Sequence, residues 1–234
     1  MDYVQNKVAV ITGVSGGLGL AFAQALSGRG VQVFGWGRSA PEIMPENFHF
    51  LPCDLKDPES VSAVAKQTEA MAGKPIDFLI NNAGFGHFAL IEEMSVSQWQ
   101  EQMHINLDAI FYCTRMLLPG MKAQGFGHIV NISSVAGKAG ASWGTAYSAT
   151  KFGVAGLSDS LFQEVRTSGV KVSVMYPGST STRFFDEVPG ISPHANMLRA
   201  EEIAATLVHI LDTHPNCVIS EVVIRPLNSK PPKV

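Results

Sequence analysis

Charge is scarce in this 234-residue chain: Asp, Glu, Lys and Arg together make up 16% of it, and the formal net charge is only −3. So weak a field gives no reason to expect nucleic acid as a partner, and an acidic ligand would need a local basic site. Cysteine is scarcer still. Cys53, Cys113 and Cys217 are far apart, odd in number and form no CxxC pair. That excludes a disulfide framework and points to a reducing, cytoplasmic setting in which all three are buried as small hydrophobes. No apolar run approaches the roughly eighteen residues of a membrane-spanning helix. The first strand-like segment begins at Lys7, so neither a signal peptide nor a membrane anchor is expected. Histidines and acids form no close-spaced ligand cluster, and no metal is expected.

What is plentiful is apolar sequence, at 46% of residues, enough for one substantial core. The chain alternates between strand and helix patterns. Strands are expected at Lys7 to Thr12, Val31 to Gly35, Phe48 to Cys53, Ile76 to Asn81, His128 to Ser133, Val170 to Tyr176 and Cys217 to Ile224. Between them, helical spacing covers 18 to 28, Glu59 to Met71, one long segment from Gln98 to Met121, Thr145 to Arg166, and Glu201 to Leu211. Strands separated by helices of this length predict an α/β fold: a doubly wound, mostly parallel sheet with helices on both faces. No linker divides it, so residues 1–234 read as one domain. The irregular stretch from Ser179 to about Arg199 follows a strand and reads as a short lid at the sheet's carboxyl edge, where open α/β folds bind ligands. The tail "PLNSKPPKV" reads as frayed or packed on a neighbour.

After the first strand comes Thr12-Gly13-Val14-Ser15-Gly16-Gly17-Leu18-Gly19. Small residues at a strand-to-helix turn let the backbone approach a pyrophosphate, whose charge the helix N-terminus favours. Gly13, Ser15, Gly17, Leu18 and Gly19 are therefore candidate cofactor contacts. No Gly-Lys-Ser/Thr follows, so this is not a P-loop. At the end of the second strand, the place of an acid that would clamp an unphosphorylated ribose is taken by Gly37, followed by Arg38. An arginine can pair with a 2′-phosphate that an acid would repel, which favours NADP(H), with NAD(H) as the alternative. Asp54 and Leu55, after the third strand, are placed to border the adenine.

Tyr147 and Lys151 stand four residues apart in "YSATK", so on a helix they share a face. A free phenol ionises only near pH 10, and a neighbouring ammonium would favour its phenolate. That pair can move a proton to or from a substrate oxygen. Alone, such a pair is usually a surface contact.

Taken together the motifs resemble the short-chain dehydrogenase/reductase family: "TGVSGGLG" at 12–19, "NNAG" at 81–84, Asn106 in "HINLD", "NISS" at 131–134, "YSATK" at 147–151 and "YPGSTST" at 176–182. The resemblance implies a Rossmann-type fold with catalytic Ser134, Tyr147 and Lys151, and with Asn106 holding a water in a proton relay. It implies that Ser133 is a structural hydroxyl, and that Asn81, Asn82, Ala83 and Gly84 shape the sugar side of the cofactor. Pro177, Gly178, Thr180 and Thr182 would border the nicotinamide, with Tyr147 and Lys151 touching the cofactor as well. "ISEVVIRPLNSK" departs from the family's frequent close in "VDGG", leaving the role of the C-terminus open.

Three functions follow as expectations. The first is an NADP(H)-dependent oxidoreductase acting on a small or medium carbonyl/alcohol pair, such as a ketone, keto-ester or 3-oxoacyl compound. The second is an NAD(H)-dependent alcohol or sugar dehydrogenase. The third is a sensor or scaffold that binds the dinucleotide without turnover. The lid lacks a cluster of positive charge, which argues against a surface for an acidic carrier protein. His87 could line the pocket mouth, His104 has no assigned role, and Phe184 and Phe185 read as a hydrophobic anchor of the lid, with substrate-facing aromatics as the alternative. Apolar residues in 107–118 and 152–162 allow a homodimer or homotetramer.

Overall fold

The computed structural model describes residues 2–182, 184 and 193–231. Seven strands form one sheet in the order β3-β2-β1-β4-β5-β6-β7, and every pairing in it is parallel. The strands are β1 (Val8–Thr12), β2 (Gln32–Gly37), β3 (Phe48–Pro52), β4 (Phe78–Asn81), β5 (Gly127–Ile132), β6 (Val170–Pro177) and β7 (Glu221–Ile224). The helices are α1 (Gly17–Ser27), α2 (Pro58–Ala72), α3 (Val96–Met103), α4 (Ala109–Ala123), α5 (Thr145–Val165) and α6 (Ala200–Leu211).

The sequence "VAVIT" of β1 is buried throughout, as a strand covered on both faces must be. Its side chains still alternate. Ala9 and Ile11 join Phe22 and Leu26 of α1 and Ile203 and Leu207 of α6 in one core. Val8 and Val10 join Trp36, Leu79, Val61 of α2 and Leu117 and Met121 of α4 in the other. Trp36 is buried there because its indole N–H finds the Thr68 hydroxyl, 3.0 Å away.

The strand order reverses between β1 and β4, which lie side by side although four elements separate them in sequence. At such a reversal the connections leave the carboxyl edge in opposite directions and open a crevice. Gly13 and Asn82 to Gly84 stand at that edge. Polar side chains fix the neighbouring strands: Asn81 Nδ2 donates to Asn131 Oδ1 (2.8 Å), and Asn131 Nδ2 donates to the Ser158 hydroxyl (2.8 Å), which donates to the Val154 carbonyl (2.6 Å). Asn81 thus staples β4, β5 and α5.

Three expectations are corrected. The long helix from Gln98 to Met121 is interrupted by a π-helical turn over His104–Asp108. The last strand begins at Glu221 rather than at Cys217, because the preceding carbonyls accept other donors: Ile219 from the Ser173 hydroxyl and Cys217 from the Thr213 hydroxyl. Cys53 and Cys113 are buried, but Cys217 is exposed. At the tail, Asn196 Nδ2 donates to the Lys230 carbonyl (2.7 Å) and Leu227 is fully exposed, while residues 232–234 lie outside the described residues. Among the described residues no helix is long and apolar enough to cross a membrane, and no group of three or more His, Cys, Asp or Glu could hold a metal ion.

Candidate active site

The crevice is built from the glycine turn upward. Thr12 ends β1 with its hydroxyl accepting the backbone N–H groups of Asn82 and Ala83, both at 3.0 Å. Asn82 returns its amide to the carbonyls of Thr12 (2.9 Å) and Gly13 (3.1 Å). This lock fixes the turn against "NNAG" and occupies the Asn82 side chain. Gly13 has φ +73, and a methyl there would stand 2.9 Å from Ala83 Cα. A methyl on Gly19 would overlap the Gly13 carbonyl and stand 2.7 Å from Asn82 Nδ2. Both glycines serve close backbone approach.

Gly16 differs, since a methyl there would meet nothing within 4 Å. It leads into α1, whose first turn has no side-chain cap and no acid. By contrast, Asp57 caps α2 and Ser95 caps α3. An uncapped helix start beside open glycine backbone and the exposed Ser15 suits a pyrophosphate, so the residues present fit a dinucleotide. Leu18 packs partly on the core. At the end of β2, Gly37 is buried and its carbonyl accepts the Cys53 N–H (2.9 Å). Arg38 is exposed and has no ion-pair partner among the described residues.

Asp54 and Leu55 are turned to other tasks. Asp54 Oδ1 accepts the Lys56 N–H (3.0 Å), and Leu55 is 5% exposed within the second core. The Asp54 backbone is engaged as well, its N–H donating to the Ser60 hydroxyl (3.1 Å) and its carbonyl accepting the Asp57 N–H (3.1 Å).

The π-helical turn carries Asn106 inward until it is fully buried. Its Oδ1 accepts the Phe85 N–H (3.0 Å), while its Nδ2 donates to the Phe85 carbonyl (2.8 Å) and the Thr150 hydroxyl (3.1 Å). One extra residue in the turn re-aims a side chain in this way, and such turns gather at functional sites. The amide is therefore spent on fixing the loop after "NNAG" to α5. A water relay through Asn106 would have to use its backbone carbonyl.

Tyr147 and Lys151 lie on one face of α5, both buried. The Ser134 hydroxyl faces the phenol and favours its ionised form, while burial opposes ionisation and pushes Tyr147 up to about 12. Burial pulls Lys151 down to about 8. Its Nζ stands 5.6 Å from the Tyr147 ring centroid and donates to the Ile132 carbonyl at 2.9 Å. At Tyr147 burial thus outweighs the neighbouring Ser134 hydroxyl. Ser133 is structural, its hydroxyl donating to the Lys151 carbonyl (2.9 Å).

Gly84 is the exposed floor between these groups: a methyl on it would stand 3.1 Å from Asn106 Oδ1 and 3.5 Å from Lys151 Nζ. Ser134, Tyr147, Lys151 and Asn106 thus converge at the mouth of the crevice. The arrangement can present a phenol proton, a hydroxyl and an ammonium to one small oxygen-bearing ligand.

The segment after β6 closes the other side. Pro177 ends the strand, and the Gly178 N–H donates to the Ile224 carbonyl (2.7 Å). Thr180 is buried, with its hydroxyl turned back to the Gly178 carbonyl (2.9 Å). Thr182 reaches the glycine turn, where a methyl on Gly17 would stand 3.4 Å from its Cβ. Thr180 also pairs with Leu198; of the expected lid, residues 183 and 185–192 lie outside the described residues. Phe184 packs on the Tyr147 ring, with centroids 5.6 Å apart, rather than serving only as an anchor. Phe185 lies outside the described residues.

His87 meets the Phe85 ring edge-on (5.1 Å) and lies 3.6 Å from Glu101. His104 is half-exposed and paired with Asp108 at 2.8 Å. Sequence reasoning missed Thr12, Gln102, which accepts the His87 N–H (3.1 Å), and Phe88. It also missed the link in which Lys138 and the buried Tyr176 hydroxyl both bind Glu221 (2.7 and 2.8 Å). That link joins β7 to the turn carrying Ser134. Buried polar or ring-packed residues near "NNAG" were the available signal.

A family model described as short chain dehydrogenase matches residues 7–190. The chain is 34% identical over 186 residues to the 3-oxoacyl-[acyl-carrier-protein] reductase of Vibrio cholerae, covering 76% of this chain and 75% of that protein. It is 35% identical over 190 residues to the 2-dehydro-3-deoxy-L-rhamnonate dehydrogenase (NAD(+)) of a Sphingomonas strain, covering 79% of this chain and 76% of that protein. Among solved structures, an alcohol dehydrogenase from the archaeon Thermococcus sibiricus complexed with 5-hydroxy-NADP superposes with a TM-score of 0.86 at 27% identity. That match covers 97% of this chain and 99% of the archaeal one.

Proposed function

The chain belongs to the short-chain dehydrogenase family, and from that premise we propose that it is an NADP(H)-dependent oxidoreductase of small or medium carbonyl/alcohol pairs. The observation that carries this reading is the Ser134 hydroxyl beside the buried Tyr147 phenol, with Lys151 Nζ 5.6 Å from that ring and next to the exposed Gly84, near an uncapped helix start. The dinucleotide would lie along Gly13, Ser15, Gly17, Leu18 and Gly19, reach the edge at Asp54 and Leu55, and pass Ala83 and Gly84 toward Pro177, Gly178, Thr180 and Thr182. It would supply the hydride. Arg38 would pair with the 2′-phosphate from the end of β2. The NADP-type ligand of the archaeal structure supports this choice, while the NAD(+) in the Sphingomonas enzyme's name keeps NAD(H) as the second reading.

Tyr147 acts as the acid in reduction. With its phenol pushed up to about 12, it stays protonated at neutral pH and gives its proton only to an oxygen that is gaining negative charge. Ser134 donates to that same oxygen, so the charge is stabilised where it develops. Lys151 returns positive charge to the vacated phenolate. Asn106 holds the loop and α5 in register, which fixes these distances.

The test is NADPH oxidation with a panel of ketones and aldehydes. Tyr147→Phe should lower turnover at least ~100-fold while NADPH fluorescence still reports binding. Equal turnover by the variant would sink the assignment. We place the protein in the cytoplasm as a homo-oligomer. Phe111 and Phe152 are 51% and 47% exposed on α4 and α5, beside half-buried Leu107 and Leu157. Sedimentation should show a dimer or tetramer that Phe111→Glu dissociates.

A further inference from the structure

Three rings meet at the ligand end of the crevice. Phe88 lies 5.4 Å from Tyr147 and 6.3 Å from Phe184, and Tyr147 lies 5.6 Å from Phe184. These separations, tilted or edge-to-face, are those of favourable aromatic pairs. Gly86 makes the approach possible: a methyl there would stand 2.6 Å from the Phe88 ring and 3.2 Å from Tyr147. Phe88 and Phe184 nevertheless remain half-exposed, so the cluster keeps open apolar surface beside the phenol. Behind it, the Ala89 N–H donates to the Trp143 carbonyl (2.8 Å), and this junction exposes Leu90 and Trp143 by 42% and 54%.

We infer that Phe88 and Phe184 form an aromatic subsite that selects carbonyl compounds bearing a flat apolar group, such as an aryl ring, next to the reacting carbon. The inference rests on the oxidoreductase reading and goes on to name the substrate class. A carboxylate or phosphate is the weaker fit among the described residues: Lys151, whose Nζ lies 5.6 Å from the Tyr147 ring centroid, already donates to the Ile132 carbonyl. His87 and Glu101, 3.6 Å apart, sit with Phe85 rather than with the three rings. A sugar would strand its hydroxyls against ring faces, at the cost of unpaired polar groups. An aryl group would extend the edge-to-face array.

The experiment compares acetophenone, 2-octanone and pyruvate in two assays. One is kcat/KM with NADPH. The other is equilibrium binding of each compound to Tyr147→Phe loaded with NADPH, which needs no turnover. Acetophenone should lead 2-octanone by about tenfold and pyruvate by more in both assays. Phe88→Ala should erase the lead over 2-octanone, and Phe88→Leu should leave part of it. Thermal melting shows that each variant is folded. A preference for pyruvate, or an equal loss on all three compounds in Phe88→Ala, would overturn the subsite and leave the rings as packing. Selective binding without turnover would keep the subsite and overturn the oxidoreductase reading instead.

Discussion

Lys151 holds its Nζ 2.9 Å from the carbonyl oxygen of Ile132, at the carboxyl end of β5. The ammonium thus sits on the sheet rather than on the phenol one turn away, its Nζ 5.6 Å from the Tyr147 ring centroid. Burial pulls its pKa from 10.5 down to about 8, so it titrates in the working range while Tyr147, pushed up to about 12, does not. We expect kcat/KM for carbonyl reduction to fall as pH rises through about 8. Lys151→Met should lower kcat/KM at every pH, by roughly 100-fold, and remove that limb. A limb near pH 8 that persists in the variant would assign it to another group.

The glycine turn separates a ligand cradle from a merely tight turn. Gly19→Ala would overlap the Gly13 carbonyl and should destabilise the fold by about 1–3 kcal/mol, as overpacking does. Gly16→Ala places its methyl where it meets no other described residue within 4 Å beyond its own chain neighbours. The backbone there is extended, with φ 176, so any residue can adopt it. This variant should melt within about 0.5 kcal/mol of the parent yet bind NADPH at least several-fold more weakly. Unchanged binding in a folded Gly16→Ala would show that the turn is glycine-rich for chain geometry alone.

How much of this was legible in sequence follows from the range of each interaction. β1 and "TGVSGGLG" were readable because a continuous apolar run followed by small residues is a local signal. The Tyr147–Lys151 face was readable because helical spacing is local too. The π-helical turn was not, since "HINLD" looks like ordinary helix and the inward turn of Asn106 depends on Phe85, twenty-one residues earlier. Phe88 escaped for the same reason: its partners, Tyr147 and Phe184, come from α5 and the lid. The fall of Lys151 and the rise of Tyr147 were set by burial, which a four-residue spacing does not report. Asp54 and Leu55 were located correctly at the sheet edge, but their side chains were spent on an Asx turn and on the core.

Arg38 decides cofactor choice in the proposed reading. It is exposed at the end of β2, follows the buried Gly37, and has no ion-pair partner among the described residues. Arg38→Ala should weaken NADPH binding by about 10- to 100-fold, as expected for a lost charge-assisted hydrogen bond. NADH binding should change by less than about threefold, because an unphosphorylated ribose gives the guanidinium no comparable partner. Titrations with both nucleotides check this. Equal losses for the two, or none for NADPH, would return Arg38 to the role of a solvated surface charge.

A second buried titratable group predicts how the fold responds to acid. His128 of β5 is 2% exposed, with its Nε2 2.7 Å from the Ser173 hydroxyl, which itself donates to the Ile219 carbonyl. That donation leaves the Ser173 oxygen to accept, so the neutral ring carries its proton on Nε2. Charging would add a proton on Nδ1 inside the sheet layer. Burial, with the Lys171 ammonium adding to it, therefore lowers the His128 pKa from 6.5 to about 3. Between those values the unfolded chain binds the proton and the folded chain does not. Stability should fall as pH drops through this window, by up to ~1.4 kcal/mol per pH unit from this group. His128→Gln keeps an amide donor for Ser173 but cannot titrate. Its unfolding free energy in urea, measured at pH 7, 6, 5 and 4, should decline less steeply than the parent's, even if it starts lower by about 1 kcal/mol. Parallel curves would mean that His128 is already charged in the folded chain, or that its burial opens before pH 6.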